Sequence, residues 1–332
     1  MKSPSQHPNQ RPSTRKRILL FGIPTLAIAA AAAITVGIIV GNQDAAPNNA
    51  GTFSDSTHMG LVEIETAQPD RLRSFYADAV GLTVINEDAE SVTLGSSGEP
   101  LVRLSSSNAT SLSNPTDAGL YHSAILFPSE AALADALLRV SDHAPDSFQG
   151  SADHAVSQAF YFGDPDGNGV ELYVDRPRDE WVWNGDQVDM TTVALDVNEF
   201  IAQHATSSSE SVREAKEAAM GHVHLKVGNL AEAEAFYSGI LGFDVTSRVD
   251  GAIFYSAGGY HHHLATNTWN SEGAGERPAT AGLKKLSIVV EDTAELDAVE
   301  NRLDAAGIQS TRTTDGITTT DPWGTNIELT AR

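Results

Sequence analysis

No cysteine occurs among the 332 residues. That excludes disulfides, thiolate metal sites and a cysteine nucleophile, and it leaves the redox compartment open. Basic residues are scarce too: 21 Lys and Arg stand against 44 Asp and Glu, for a formal charge of −23. Such a surface repels phosphate backbones, which argues against nucleic acid as a partner. Only one long apolar run is present, so a multi-pass membrane protein is excluded. With 41% apolar residues, disorder throughout is excluded as well, and the length suffices for two ordinary domains. Any metal must be held by carboxylates and by some of the 11 histidines.

The one apolar run lies near the amino end. Residues 1–17 form a basic tail with Lys2, Arg11, Arg15, Lys16 and Arg17 and no acid, for a charge of +5, leaving −28 on the rest. Residues 18–40 are 23 uncharged positions. A cleaved signal has a shorter apolar region of roughly 7–15 residues, whereas a membrane span needs roughly 20. The expectation is a transmembrane signal anchor over 18–40, a polar linker over 41–58, and a single-pass cell-membrane protein whose acidic body is extracytoplasmic. Pro24 and the alanine run lower the hydrophobicity, so secretion after cleavage is the alternative.

Internal repeats organise the remainder. Met59-Gly-Leu-Val-Glu-Ile-Glu-Thr matches Met220-Gly-His-Val-His-Leu-Lys-Val, and the same offset of 161 carries Phe75-Tyr76 onto Phe236-Tyr237 and Gly81 onto Gly242. Gly119-Leu-Tyr-His-Ser-Ala-Ile matches Gly282-Leu-Lys-Lys-Leu-Ser-Ile, and Asp164-Pro-Asp-Gly-Asn-Gly-Val-Glu-Leu matches Asp321-Pro-Trp-Gly-Thr-Asn-Ile-Glu-Leu. The duplicated halves are expected at 59–177 and 220–332, joined by a polar connector over 178–219. Each half splits again. A unit opens with an alternating strand such as His222-Val-His-Leu-Lys-Val, continues into an amphipathic helix (Leu230–Leu241, Ser129–Val140 or Thr293–Ala306) and closes with short strands punctuated by Gly, Asn and Asp. The fold class is therefore α+β, with βαβββ four times over from near Met59, Gly119, Met220 and Gly282.

This pattern resembles the vicinal oxygen chelate superfamily, which includes glyoxalase I, fosfomycin-resistance proteins and extradiol ring-cleaving dioxygenases. The resemblance spans residues 59–332. Its most specific pieces are His154-Ala-Val-Ser-Gln-Ala-Phe-Tyr-Phe-Gly-Asp-Pro-Asp-Gly-Asn-Gly-Val-Glu171, Gly221-His-Val-His and Gly259-Tyr-His-His-His-Leu-Ala-Thr-Asn-Thr-Trp269, which look most like four-unit members of catechol 2,3-dioxygenase type. The resemblance implies two half-open barrels, each made of paired units, with a divalent metal bound by residues of first and last strands.

First-strand positions in the four units are Leu61, His122, His222 and Lys285, and last-strand positions are Arg103, Glu171, His263 and Glu328. Leu, Arg and Lys cannot chelate a dication, so the ligand chemistry sits in units two and three. Two imidazoles plus one carboxylate make the facial triad of non-haem iron enzymes. By resemblance to the extradiol enzymes, His122, Glu171 and His222 are the metal ligands, with Fe(II), or alternatively Mn(II), as cofactor. The competing set is His222, His263 and Glu328, from pairing units three and four. A structural role for each histidine, at a strand start, is the bland alternative.

Other residues follow from the same frame. Tyr161 lies ten positions before Glu171, similar to the extradiol active-site tyrosine, and His154 falls about where these enzymes place an acid–base histidine. Strand alternation puts His261 and His263 on one face, toward the cavity, and His262 on the other, at the surface or an interface. His263 is thus a third catalytic candidate. His224 shares the face of His222 and is placed to orient a ligand or substrate. Asp164-Pro-Asp-Gly-Asn reads as a turn. The expected activity is extradiol cleavage of a catechol-type aromatic diol by dioxygen, with homo-oligomer formation left open. The alternatives are another metal reaction on this frame, glyoxalase-like isomerisation or thiol addition, and a non-catalytic small-molecule binding protein.

Overall fold

The computed structural model describes residues 52–107, 111–206 and 215–332. The expected anchor over 18–40 and its flanks lie outside the described residues; among those described, no helix is long and apolar enough to cross a membrane.

Unit one comprises β1 (His58–Thr66), helix α1 (Pro69–Ser74), β2 (Thr83–Glu87), β3 (Ser91–Ser96) and β4 (Glu99–Ser106). Unit two has β5 (Gly119–Leu126), α2 (Glu130–His143), β6 (Phe148–Asp153), β7 (Ser157–Gly163) and β8 (Gly169–Asp175). The connector contributes three two-residue strands, β9 (Trp183–Asn184), β10 (Gln187–Val188) and β11 (Val193–Ala194), and helix α3 (Val197–His204). Unit three has β12 (Ala219–Lys226), α4 (Leu230–Glu234), β13 (Asp244–Val249), β14 (Ala252–Ser256) and β15 (Leu264–Asn267). Unit four has β16 (Gly282–Val290), α5 (Thr293–Ala305), β17 (Ser310–Arg312), β18 (Gly316–Thr320) and β19 (Asn326–Ala331).

The strands form two large curled sheets, and each takes its units from both sequence halves. One runs β17-β18-β19-β16-β1-β4-β3-β2 and joins units four and one; the other runs β11-β6-β7-β8-β5-β12-β15-β14-β13 and joins units two and three. First strands meet antiparallel at each centre, β1 with β16 and β5 with β12, and each also pairs in parallel with the last strand of its own unit. The connector is more than a link: β11 extends the second sheet beyond β6, and Phe200 of α3 packs on Phe160 of β7.

Helices couple the units in the other combination. After α1 and α4 the chain continues in wide π-type turns, Phe75–Val80 and Ala235–Leu241, where the sequence periodicity leads one to expect continuous α-helix. Each wide turn ends at a glycine with positive φ, Gly81 (93°) and Gly242 (102°). An arginine from the next unit covers the freed carbonyls: Arg139 Nη2 donates to Val80 O at 2.8 Å, and Arg302 donates to Ile240 O and Leu241 O at 2.6 Å. A Cβ at either glycine would strike that guanidinium. Tyr76 donates to Asp164 (3.3 Å) and Tyr237 to Asp321 (2.8 Å), again one to two and three to four. Sheets therefore tie one to four and two to three, while helices and buried tyrosines tie one to two and three to four.

Candidate metal centre

His122 on β5, His222 on β12 and Glu171 on β8 converge at the seam between units two and three. Each strand is pinned by the ladder of the next, so the three side chains are set by backbone register. His122 Nε2 lies 3.0 Å from Glu171 Oε2, His222 Nε2 lies 3.3 Å from the same oxygen, and the two imidazole nitrogens are 3.3 Å apart. All three residues are buried, and they form the one group of potential metal ligands found among the described residues. Bonds of about 2.1 Å at right angles place neighbouring ligand atoms about 3 Å apart, so this spacing fits three adjacent positions on one small dication. The charges fit as well. Burial holds the His122 imidazole well below its ordinary value, so it is neutral. Burial pushes the Glu171 carboxyl up, but His222 and His122 outweigh it and hold the carboxyl below the usual range. A neutral imidazole at His122 and a carboxylate at Glu171 suit a dication.

A fourth protein ligand is missing for a reason visible in the register. Glu171 pairs with the residue two beyond His122, namely Ala124. The residue two beyond His222 is His224, and its partner is Ala265. The last-strand position of unit three is therefore Ala265, not His263. The corresponding positions in the other sheet are closed by ion pairs: Lys285 Nζ to Glu328 Oε2 at 2.8 Å, and Lys284 Nζ to Glu63 Oε1 at 3.3 Å. The competing set of His222, His263 and Glu328 is not brought together, because Glu328 lies on β19 in the sheet of units four and one.

The three consecutive histidines depart from strand alternation because residues 260–263 form an irregular bend before β15. His262, expected at the surface, is buried with its ring centroid 4.1 Å from that of His222. His263 turns away: its Nδ1 accepts from Ala257 N (3.3 Å), lies 3.0 Å from Ser256 Oγ, and its ring stacks beside Tyr260. The structure does not join His263 to the triad. His261 Nε2 donates to Asp175 Oδ1 at 2.9 Å, and His261 Nδ1 lies 2.7 Å from His262 Nδ1. Burial, with neighbouring histidines adding to it, holds His262 far below its ordinary value, and burial lowers His261 despite Asp175. Both rings are neutral, so His262 Nδ1–H donates to the bare Nδ1 of His261, and His262 Nε2 carries a lone pair. Tyr260 also donates to Asp175 (3.2 Å) and bonds the Tyr173 hydroxyl (2.8 Å), which sits over Gly221, where a Cβ would overlap it.

Tyr161 is the direct cross-strand partner of Glu171. Its hydroxyl lies 2.7 Å from His154 Nε2, and His154 Nδ1 lies 2.7 Å from the carbonyl of Thr191. A carbonyl only accepts, so Nδ1 carries the proton, and Nε2 accepts from Tyr161. The expected pair is thus brought together beside the triad, with its tautomer set by the connector. His224 lies beside His122 (ring centroids 5.0 Å) and its Nε2 accepts from Asn267 Nδ2 at 3.0 Å. Asp164 accepts from Asp166 N and Asn168 N at 2.9 Å, a turn-forming role as expected. Asp175, Thr191 and Tyr121 went unnoticed in the sequence; burial and then the Glu171 charge raise the Tyr121 hydroxyl, which places it near the carboxylate. Asp175 and Thr191 fall outside the repeat-matched segments, and Tyr121, inside one, is matched to Lys284, which shares none of its chemistry.

The curated Catechol-2,3-dioxygenase of Bacillus subtilis (strain 168) is 36% identical over 278 residues, covering 82% of this chain and 96% of the relative. The sequence pattern of the Glyoxalase/Bleomycin resistance protein/Dioxygenase superfamily matches residues 219–329. The chain belongs to this superfamily. Solved structures similar to this member agree on the fold. A protein of Bacillus subtilis subsp. subtilis, described only provisionally as a dioxygenase, superposes with a TM-score of 0.58 at 13% identity, covering 82% of this chain and 84% of that one. Glyoxalase I of Zea mays gives 0.51 at 16% identity, covering 83% and 92%.

Proposed function

We propose that this superfamily member is an extradiol-type dioxygenase that opens the ring of a catechol-type aromatic diol with dioxygen, using Fe(II), or Mn(II) in its place, held by His122, His222 and Glu171. The observation that carries the reading is the convergence of exactly these donor types at 3.0–3.3 Å with alanine at the fourth position. The relationship to the Bacillus subtilis Catechol-2,3-dioxygenase supports it. Bound there, the ion would acidify the diol and bring it together with dioxygen.

The protein's own residues orient and move protons. Glu171 and the two imidazoles fix the side from which a diol enters. Tyr161, already donating to His154 Nε2, passes its proton to that nitrogen as it receives one from a diol hydroxyl, and the Thr191 carbonyl keeps His154 in the accepting tautomer. His262, with its Nδ1–H committed to His261, offers a second bare nitrogen on the unit-three side.

The test is oxygen uptake by protein reconstituted anaerobically with Fe(II). One dioxygen consumed per catechol, with both atoms recovered in a ring-opened product, is expected. Isomerisation of a thiol adduct without oxygen uptake would move the protein to the glyoxalase side of the superfamily.

A further inference from the structure

Two large aromatic side chains at the open end of the site remain unexplained by the chemistry above. Tyr121 is 36% exposed and Trp269 is 43% exposed. They come from different units, β5 and the segment after β15, yet their ring centroids are 5.4 Å apart in an edge-on arrangement. Both reach the metal cluster through His224: Tyr121 lies 5.0 Å from its ring and Trp269 5.5 Å, and His224 lies 5.0 Å from His122. Tyr121 also sits 5.3 Å from the His122 ring itself.

The indole is held, not loose. Its Nε1–H donates to Asp250 O at 3.1 Å, and its backbone N–H donates to Asn267 Oδ1, the amide whose Nδ2 donates to His224. One edge presses on Gly251, where a Cβ would come within 2.7 Å of the ring. Exposing a fixed indole and a phenol side by side leaves apolar surface in water that burial would otherwise reward. Such a surface gains when a flat apolar group covers it. Charge narrows the class of ligand. Among the described residues, the cation–ring contacts are those of Arg178, at Trp181 and Tyr260, so no basic group stands over the Tyr121 or Trp269 ring, and Lys226, two residues beyond His224, turns its ammonium to the carbonyls of Asn114 and Pro115.

We propose that Tyr121 and Trp269 form a subsite for a planar, uncharged apolar substituent carried beyond the diol, so that the protein prefers aryl-substituted catechols to catechol itself. The subsite rests on the dioxygenase reading for its substrate but not for its existence. A stacked ring contributes about a fivefold to tenfold gain in affinity.

The experiment compares wild type, Trp269→Phe and Trp269→Ala with three probes: catechol, 3-phenylcatechol and naphthalene, which lacks the diol. In metal-free full-length protein, naphthalene and 3-phenylcatechol should quench tryptophan fluorescence, and Trp269→Phe should remove most of that quench. In Fe(II)-loaded protein, Trp269→Ala should raise KM for 3-phenylcatechol about fivefold to tenfold more than it raises KM for catechol, while Trp269→Phe restores most of the difference. Naphthalene quenching that depends on Trp269 in a protein that cleaves no diol would sink the dioxygenase reading and leave the subsite standing. Equal effects on both diols, or quenching untouched by Trp269→Phe, would overturn the subsite. So would a Trp269→Ala protein that changes only its oligomeric state by sedimentation, since the patch would then face a second copy.

Discussion

Tyr161 stands directly opposite Glu171 in the β7–β8 ladder, so the tyrosine and the carboxylate are registered by backbone hydrogen bonds, while His154 meets the tyrosine hydroxyl from the turn between β6 and β7. Removing the Tyr161 hydroxyl should therefore leave metal content intact and act on turnover. Tyr161→Phe and His154→Gln are each expected to lower kcat by about 10²–10⁴-fold, the usual range for positioned proton transfer. Because the two groups act in series, the double variant should be little slower than the worse single one. Multiplying losses in steady-state kinetics would separate the pair.

Metal retention tests the triad itself. His122→Ala, His222→Ala and Glu171→Gln should each lose stoichiometric iron while keeping a native far-UV spectrum, whereas Glu328→Gln, in the other sheet, should keep its iron. Elemental analysis after desalting reads this. Full iron in Glu171→Gln with loss in Glu328→Gln would reverse the assignment.

The buried imidazoles make the metal-free protein acid-sensitive. His122, His224, His261, His262 and His263 are all lowered by burial, His122 and His263 to about 3. In the unfolded chain such groups bind protons below about 6.5, so the unfolded state takes up more protons as pH falls and stability drops with it. Asp164, raised to about 6 by burial, works in the opposite direction between its unfolded value and 6, and Asp321 and Asp244, also raised by burial, work with it, as three groups against five. Urea midpoints of the metal-free protein should fall steadily from pH 7 to pH 5. A flat or rising midpoint would contradict neutral buried histidines.

The paired tyrosines give a stability comparison. Tyr237 donates to the buried Asp321 at 2.8 Å, and Tyr76 to the buried Asp164 at the longer 3.3 Å. Tyr237→Phe should cost about 1.5–3 kcal/mol, as expected for a hydrogen bond to a charged group, and Tyr76→Phe should cost less. Chemical denaturation of both variants measures the order, and a larger loss for Tyr76→Phe would refute the distance argument.

For the amino end we propose single-pass anchoring through residues 18–40, with the acidic body outside the cytoplasm. Full-length protein should sediment with membranes and resist carbonate extraction, and a form beginning near residue 52 should not. Recovery of uncut full-length chain in the soluble cytoplasmic fraction would reject the anchor.

Much of the second sheet could be read before any coordinates, because a repeat carries register with it. His122, Glu171 and His222 occupy matched strand positions, and matched positions in a duplicated fold meet at matched places. The triple histidine defeated the same logic. Period-two alternation holds only in extended strand, and 260–263 bend, so His262 and His263 exchanged roles and the last-strand position moved by two to Ala265. The wide turns at Phe75 and Ala235 were equally hidden, since a single stretch of i−5 bonding is too short to impress a period of its own on the sequence. The connector read as polar spacer, yet its Thr191 carbonyl sets a histidine tautomer through a single backbone atom that no side-chain pattern reveals.

The sheet pairing also orders events during synthesis. Units two and three are neighbours along the chain, so the sheet that carries the three donors can close while the ribosome is still extending unit four. Unit one has no such liberty: Glu63 of β1 finds its ladder partner only when Lys285 has emerged. Long-range closure of this kind is slow, and it leaves the β1 edge bare in the interval. The first unit translated is thus the one that waits longest for its mate, and a nascent chain stalled before β16 would carry an assembled donor cluster beside an unmatched strand, the form in which a chaperone or a second nascent chain would meet it.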